Sequence, residues 1–549
     1  MAHLPQMPPL YANGVKASEQ TKFPDTDVFR GFNKPSRIEG DIYELEVDGA
    51  IPAAINGTFY RIQGDHRFPP MYENDIHFNG DGQVGAFRIQ NGHVDWKQRY
   101  IRTERFAAET AARRNLFGKY RNPYTDHPTV RGIIRTASNT NIFFWRGVLL
   151  GLKEDGPPFA LKPDTLDTIG RYDFDGQIRA PTFTAHPKVD PATGELVCFA
   201  YEAGGNGNDA SRAVVVWTVG ADGRKTEEAW YEAPFCGIIH DVGFTENWVI
   251  LPMTPLKADL ERIKRGGNHW AWDPNEDQYY GIFPRRGGRP EDARWVRSKT
   301  GFHGHVANAY EEDGKIVFDI GVADGNVFWF FPPEDQEAGK IAQRNKLYSP
   351  MTRWVFDPAQ LKDGDWVEPE RECDFSCEFT RIDDRFQGKD YTQYWTLQVD
   401  VSRPYNFEKC GGPGGGLFNV LTHYNWQTGE KDEWWPGDCS TLQEPVFIPR
   451  SEDAPEGHGW VLCLENHLDE LRNNIVILDA QNLKDGPIAI VRLPLKFRLG
   501  FHGNWVDHSE IEAFEQLRKE GGELGPVQPA KEPLPWQLGQ HANGERNGA

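Results

Sequence analysis

Short turns rich in Gly, Asp or Asn recur along this chain, each between two apolar or β-branched runs, and they constrain its fold more than any other feature. Val84 to Ile89 leads into Asn91-Gly92, and a new run starts at His93. Val189 leads through Pro191–Gly194 to Leu196-Val197-Cys198-Phe199, and Val242 to Phe244 passes Glu246-Asn247 before Trp248-Val249-Ile250-Leu251. Tyr310 leads through Asp313-Gly314 to Ile316-Val317-Phe318-Asp319-Ile320. Asn-Gly and Asp-Gly supply the positive φ angles that tight hairpins need, so hairpins this frequent predict an antiparallel all-β protein. The aromatic share of 13% and the abundance of Gly and Pro fit many short strands. Helix is expected only over Glu104–Asn115, Pro255–Gly266 and Asp507–Lys519.

At 549 residues the chain has room for several domains, yet no linker-like composition interrupts residues 36–520, which read as a single domain. Residues 1–35, with Pro5, Pro8, Pro9, Pro24 and Pro35, read as an irregular arm. Residues 521–549 are rich in Gly and Pro without apolar patterning, and a disordered tail is expected there. Sixty basic against 81 acidic residues leave a net charge of −21, which disfavours nucleic acid and anionic membrane surfaces. No apolar run approaches the roughly 20 residues of a membrane span, so a soluble, cytoplasmic protein without stable membrane insertion is expected. Seven cysteines without regular spacing, Cys373 and Cys377 being the nearest pair, read as reduced thiols.

Four stretches each place one histidine beside a strand pattern: Thr184-Ala185-His186-Pro187, Ile239-His240-Asp241, His305-Val306-Ala307-Asn308, and Phe501-His502-Gly503. Neutral imidazole is a good ligand for divalent iron, copper or zinc. Four separate carriers predict one metal gripped from several sides of a closed scaffold. His186 and His240 are 54 positions apart, and His240 and His305 are 65 apart, compatible with propeller blades carrying inserted loops. The repeat is too degraded to count blades. His303 competes with His305 on the same face of one strand, and periodicity does not separate them. Glu154, Glu378 and Glu444 lie beside strand-forming residues, where a charge is costly without a partner. They read either as exposed strand residues or as carboxylates that orient metal-bound imidazoles.

Together with Asn56-Gly57-Thr58-Phe59-Tyr60-Arg61, Phe78-Asn79-Gly80-Asp81-Gly82 and Glu444-Pro445, these stretches make the chain resemble the carotenoid cleavage oxygenase family from about Glu39 to Val506. The resemblance implies a seven-bladed β-propeller with a dome of loops and helices over the iron-bearing face. It implies Fe(II) held by His186, His240, His305 and His502, the motif spacing selecting His305 over His303. Glu154, Glu378 and Glu444 would orient three of these rings, and Thr140 would crowd an open metal position.

Lys153, just before Glu154, departs from typical carotenoid cleavers, which carry an uncharged residue there. With Gly118-Lys119-Tyr120-Arg121-Asn122-Pro123, it resembles the branch that cleaves lignostilbene and resveratrol. That branch implies O2-dependent cleavage of a 4-hydroxystilbene to two aromatic aldehydes, with Tyr120 and Lys153 on the phenol and Phe78 against the ring. Cleavage of an apocarotenoid or an isoeugenol-type phenylpropenoid at the same iron is the alternative within enzymes. A non-catalytic propeller scaffold is the alternative outside them.

Overall fold

Asn91 and Gly92 adopt φ values of 52° and 82° and bring Gln90 opposite His93. Asp313 and Gly314, at 50° and 76°, do the same for Glu312 and Lys315. Both are the left-handed turns whose twist matches that of the flanking strands. In this computed structural model, which describes residues 21–204, 210–340, 344–412 and 416–519, such hairpins build seven antiparallel sheets of four to six strands. The sheets follow one another along the chain as the blades of a propeller.

The ring closes where the two ends of the chain meet. Glu46–Gly49 pairs with Ala489–Arg492, and Gly57–Asp65 pairs with Gly500–Asp507. Two blades therefore each contain strands from both ends, and closure removes the exposed edges an open array would leave.

The core lies between neighbouring blades. Val197, Phe199, Val214 and Val216 of one blade pack against Ile238, Val249, Leu251 and Phe283 of the next. Trp395, Leu397 and Leu421 similarly meet Val461, Cys463 and Leu478. Each such side chain contributes about 1.5–3 kcal/mol on full burial. Because blades are covered on both faces, their middle strands are continuously apolar: every residue of Leu196–Tyr201 is buried.

Insertions between blades cover one end of the ring. The helix Glu104–Ala112 starts at Thr103, whose Oγ1 accepts from the Phe106 backbone N–H at 3.1 Å, and ends at Arg113 with φ 55°. The helix His508–Lys519 also falls where expected. The expectation at Pro255–Gly266 is corrected: the strand Trp248–Ala258 runs through Pro255, and only Leu260–Lys264 is helical. Pairing of Leu256 with Trp272 and of Ala258 with Trp270 holds that segment extended, a tertiary contact that local pattern does not contain. From residue 21 the N-terminal arm is irregular apart from one short turn, Gly31–Asn33, and it is pinned by Arg498, which donates to the Val28 and Asn33 carbonyls. The expected C-terminal tail lies outside the described residues. All seven cysteines are free thiols, and no helix among the described residues is long and apolar enough to cross a membrane.

Candidate metal centre

One residue at or beside the end strand of each sheet points to a common place. Thr140 precedes Asn141–Trp145, His186 precedes Lys188–Val189, and His240 follows Gly237–Ile239. His305 lies in Phe302–Glu312, Glu378 in Cys377–Arg381, and His502 in Gly500–Asp507, while Glu444 follows Ser440–Leu442. The four histidines come together: their ligand atoms all lie within 4.8 Å of one another.

Bulges aim three of these side chains. His303 pairs with Val322 and Val306 with Ile320, three steps on one strand against two on the other. The extra residue breaks the alternation, so His305 turns to the centre while His303 Nδ1 faces Thr254 Oγ1 at 3.2 Å. The backbone N–H of Val306 donates to Asp241 Oδ2 at 2.8 Å. Glu378 and Arg381 opposite Leu397 and Trp395 repeat the three-for-two count, with Phe379 at φ 56°. So do Gly500 and Gly503 opposite Gln63 and Arg61, on either side of His502.

The three glutamates are paired with three of the rings. Nδ1 of His240 faces Glu154 Oε1, Nδ1 of His305 faces Glu378 Oε1, and Nδ1 of His502 lies 3.0 Å from Glu444 Oε1. A carboxylate at Nδ1 fixes the proton there and leaves Nε2 as a bare lone pair. Nε2 of His240 lies 3.1 Å from Nε2 of His305, and Nε2 of His186, the ring not paired with a glutamate, lies 3.2 Å from that of His240. The His240 and His305 lone pairs, with the opposite nitrogens committed to carboxylates, repel unless a cation lies between them. The donor set thus fits a divalent metal held by four neutral imidazoles.

At two of the rings the electrostatics favour the neutral form. Burial, reinforced by the other three rings, drives His186 well below the usual imidazole value. Burial also brings His502 down to about 4, against the pull of Glu444. At His240 burial opposes protonation, but Glu154 outweighs it and the net shift is upward. Burial works to raise Glu444, but His502 and Arg381 outweigh it and hold the carboxyl at about 2. Three carboxylates around a divalent cation and four neutral ligands leave the local charge near balance.

Two cavities flank the centre. One, of about 180 Å³, is lined by Phe78, Thr140, His240, His305, Phe328 and His502 among others. The other, of about 390 Å³, has a mixed polar and apolar lining and borders His186, Lys188, Asp241 and Arg381. Thr140 donates to Asn139 Oδ1 at 3.2 Å and stands at the wall of the first cavity. Phe78 closes one side of that cavity, while Phe59 lies in a separate core cluster.

Behind Phe78 sit the other two residues singled out in the sequence. Lys153 is only 3% exposed; its Nζ donates to the Phe78 carbonyl at 2.9 Å, lies 3.5 Å from Asp155 Oδ2, and is 5.0 Å from the Tyr120 ring centre. The Tyr120 and Phe78 rings are 6.1 Å apart. Burial brings Lys153 down to about 8, with Asp155 opposing the shift, and burial next to Glu154 raises the Tyr120 phenol. Sequence reasoning missed Tyr201, whose hydroxyl donates to Glu154 Oε2, and Arg121 beside it. Tyr201 ends a continuous apolar strand and carries no local signal of a polar role.

A closed seven-bladed propeller with a four-histidine, three-glutamate hub is the architecture of a class of metal-dependent oxygenases. The family model described as retinal pigment epithelial membrane protein matches residues 33–507. Resveratrol cleavage oxygenase 1 of Chaetomium globosum is 56% identical, with 98% of both chains covered. Lignostilbene-alpha,beta-dioxygenase isozyme III of Sphingomonas paucimobilis is 39% identical over 89% of this chain and 99% of its own. The crystal structure of Pseudomonas brassicacearum lignostilbene dioxygenase superposes with a TM-score of 0.84 at 42% identity, covering 88% of this chain and 99% of that one. The chain belongs to the carotenoid oxygenase family and is an oxygenase that cleaves carbon–carbon double bonds.

Proposed function

We propose that this enzyme is a non-heme Fe(II) dioxygenase that cleaves the central double bond of 4-hydroxystilbenes of the resveratrol, piceatannol or lignostilbene type. One O2 is consumed, the C=C bond breaks, and each carbon leaves with one oxygen as an aromatic aldehyde. The observation that carries the reading is Lys153. A buried ammonium directly behind the Phe78 wall of an aromatic cavity is costly against a hydrocarbon polyene and useful against a phenol. The similarity to resveratrol- and lignostilbene-cleaving relatives supports the same substrate class.

Bound at the four imidazoles, iron would supply the oxygen chemistry. The chain's own residues supply position and charge. Lys153 and Tyr120 hold the 4-hydroxyl, and the ammonium lowers the pKa of that phenol, because a nearby positive charge favours the phenolate. Electron density released into the ring enriches the central alkene. Phe78 packs on the ring, and its side chain must swing aside for a phenol to reach the two groups behind it. Thr140 narrows the approach to the centre, and the apolar wall at Phe328 excludes water from the reacting bond.

Product identification tests the reading. Iron-loaded protein is incubated in parallel with resveratrol, its 4-O-methyl ether, isoeugenol and an apocarotenal. The expected result is two hydroxylated benzaldehydes from resveratrol and little conversion of the ether. Cleavage of the ether as fast as resveratrol removes the phenolate step, and selective cleavage of isoeugenol or the apocarotenal replaces the substrate.

The pH dependence has a definite sign. Lys153, brought down to about 8 by burial despite Asp155, is an ammonium below that pH and loses its charge as the pH rises through it. We therefore expect kcat/KM for 4-hydroxystilbenes to fall above about pH 8 in the wild type, and the residual activity of Lys153→Ala to lack that limb. The same limb in both proteins assigns it to another group.

A further inference from the structure

Glu154 differs from Glu444 in what holds its second oxygen. Glu444 Oε2 accepts from the Gly503 backbone N–H at 2.8 Å, a contact no side-chain change removes. Glu154 Oε2 instead accepts from the Tyr201 hydroxyl, while its Oε1 faces the His240 ring. The Tyr201 oxygen itself accepts from Arg121 Nη1 at 2.8 Å.

Arg121 is fully buried and held through both of its terminal nitrogens. Its Nη2 is ion-paired with Glu202, and its guanidinium lies 5.2 Å from the Tyr201 ring centre and 5.3 Å from that of Trp270. Glu202 is held in turn by His269 Nε2 at 3.0 Å, whose Nδ1 lies 3.0 Å from the Arg121 carbonyl. The chain of contacts runs from His269 through Glu202, Arg121, Tyr201 and Glu154 to His240.

We propose that Tyr201 is a positioning residue for the metal centre, acting through Glu154 to fix the tautomer and aim of His240; this rests on the four-histidine metal site described above. Arg121 Nη1 is already 3.9 Å from Glu154 Oε2. Without the intervening hydroxyl, the buried carboxylate has one strong partner within reach, that guanidinium. It swings toward Arg121 and away from His240 Nδ1, because a charge-assisted pair outcompetes a bond to a neutral ring. The His240 ring then loses its orienting acceptor, a change that typically costs about 10- to 100-fold in metal affinity or activity.

Cobalt(II), added to the metal-free full chain, is the probe. Its ligand-field absorption and its rate of loss to EDTA are measured for the wild type, Tyr201→Phe and Tyr231→Phe. The last removes a buried tyrosine hydroxyl that has no hydrogen-bond partner among the described residues. We expect Tyr201→Phe to shift the absorption bands and to release cobalt about tenfold faster or more, with Tyr231→Phe like the wild type. In a Glu154→Gln background the tyrosine change should add nothing, since the two act as one unit. Cobalt release from Tyr201→Phe at the rate of Tyr231→Phe, or full additivity with Glu154→Gln, overturns the role of Tyr201. A wild type that takes up no cobalt overturns the metal site itself and the inference with it.

Discussion

Lys153→Ala is expected to lower kcat/KM for 4-hydroxystilbenes by about two orders of magnitude, roughly 2.7 kcal/mol of transition-state stabilisation, while the iron content stays that of the wild type. The expectation follows from where the ammonium lies. It is buried behind Phe78, donates to that residue's carbonyl, and lies 5.0 Å from the Tyr120 ring. Removal also takes from Asp155, a buried carboxylate, its largest favourable influence, leaving Arg121, Thr136 and Arg135. An uncompensated buried charge destabilises the fold, so the double variant Lys153→Ala with Asp155→Asn separates the two effects. Restored thermal stability with activity still low assigns the loss to the phenol. Restored activity makes the lysine a structural counter-ion. Against a stilbene without the 4-hydroxyl, wild type and variant should differ little.

His240→Ala is expected to abolish turnover altogether and to lower bound iron sharply, a loss beyond the roughly 10- to 100-fold that orienting residues cost. Two effects combine. One of four ligands is lost, and Glu154, which faces the His240 ring, is left buried without it. His303→Ala is the matched control. His303 sits two residues from His305 and is buried, yet its Nδ1 faces Thr254 rather than the centre. Metal analysis and product yield on the two variants should separate cleanly; equal loss of iron in both shows that the region responds to any cavity and that position 240 is not special.

The hairpins were legible because Asn91-Gly92 and Asp313-Gly314 encode their own backbone geometry, whatever surrounds them. Blade number was not, since it depends on which strand meets which across the closure, as when Glu46–Gly49 joins Ala489–Arg492. The four histidines stood out as polar residues beside apolar strands. Separating His305 from His303 needed the family resemblance, because a bulge decides it and a bulge depends on the partner strand. The glutamates could be read two ways until burial and the facing imidazoles were seen. Tyr201 gave no signal, and Arg121 only its place in the Gly118–Pro123 stretch: a tyrosine ending an apolar run looks like core, and an arginine in a loop looks like surface. Helix over Pro255–Gly266 failed for the same reason in reverse, with cross-strand pairing overriding a local pattern.

Every step proposed for this enzyme requires one iron held by imidazoles from four blades. Anomalous diffraction from crystals of the iron-loaded protein, recorded on both sides of the iron absorption edge, tests it most directly. A single peak among the Nε2 atoms of His186, His240, His305 and His502 is predicted. Iron elsewhere in the chain, or four rings turned apart around a site without a peak, contradicts it.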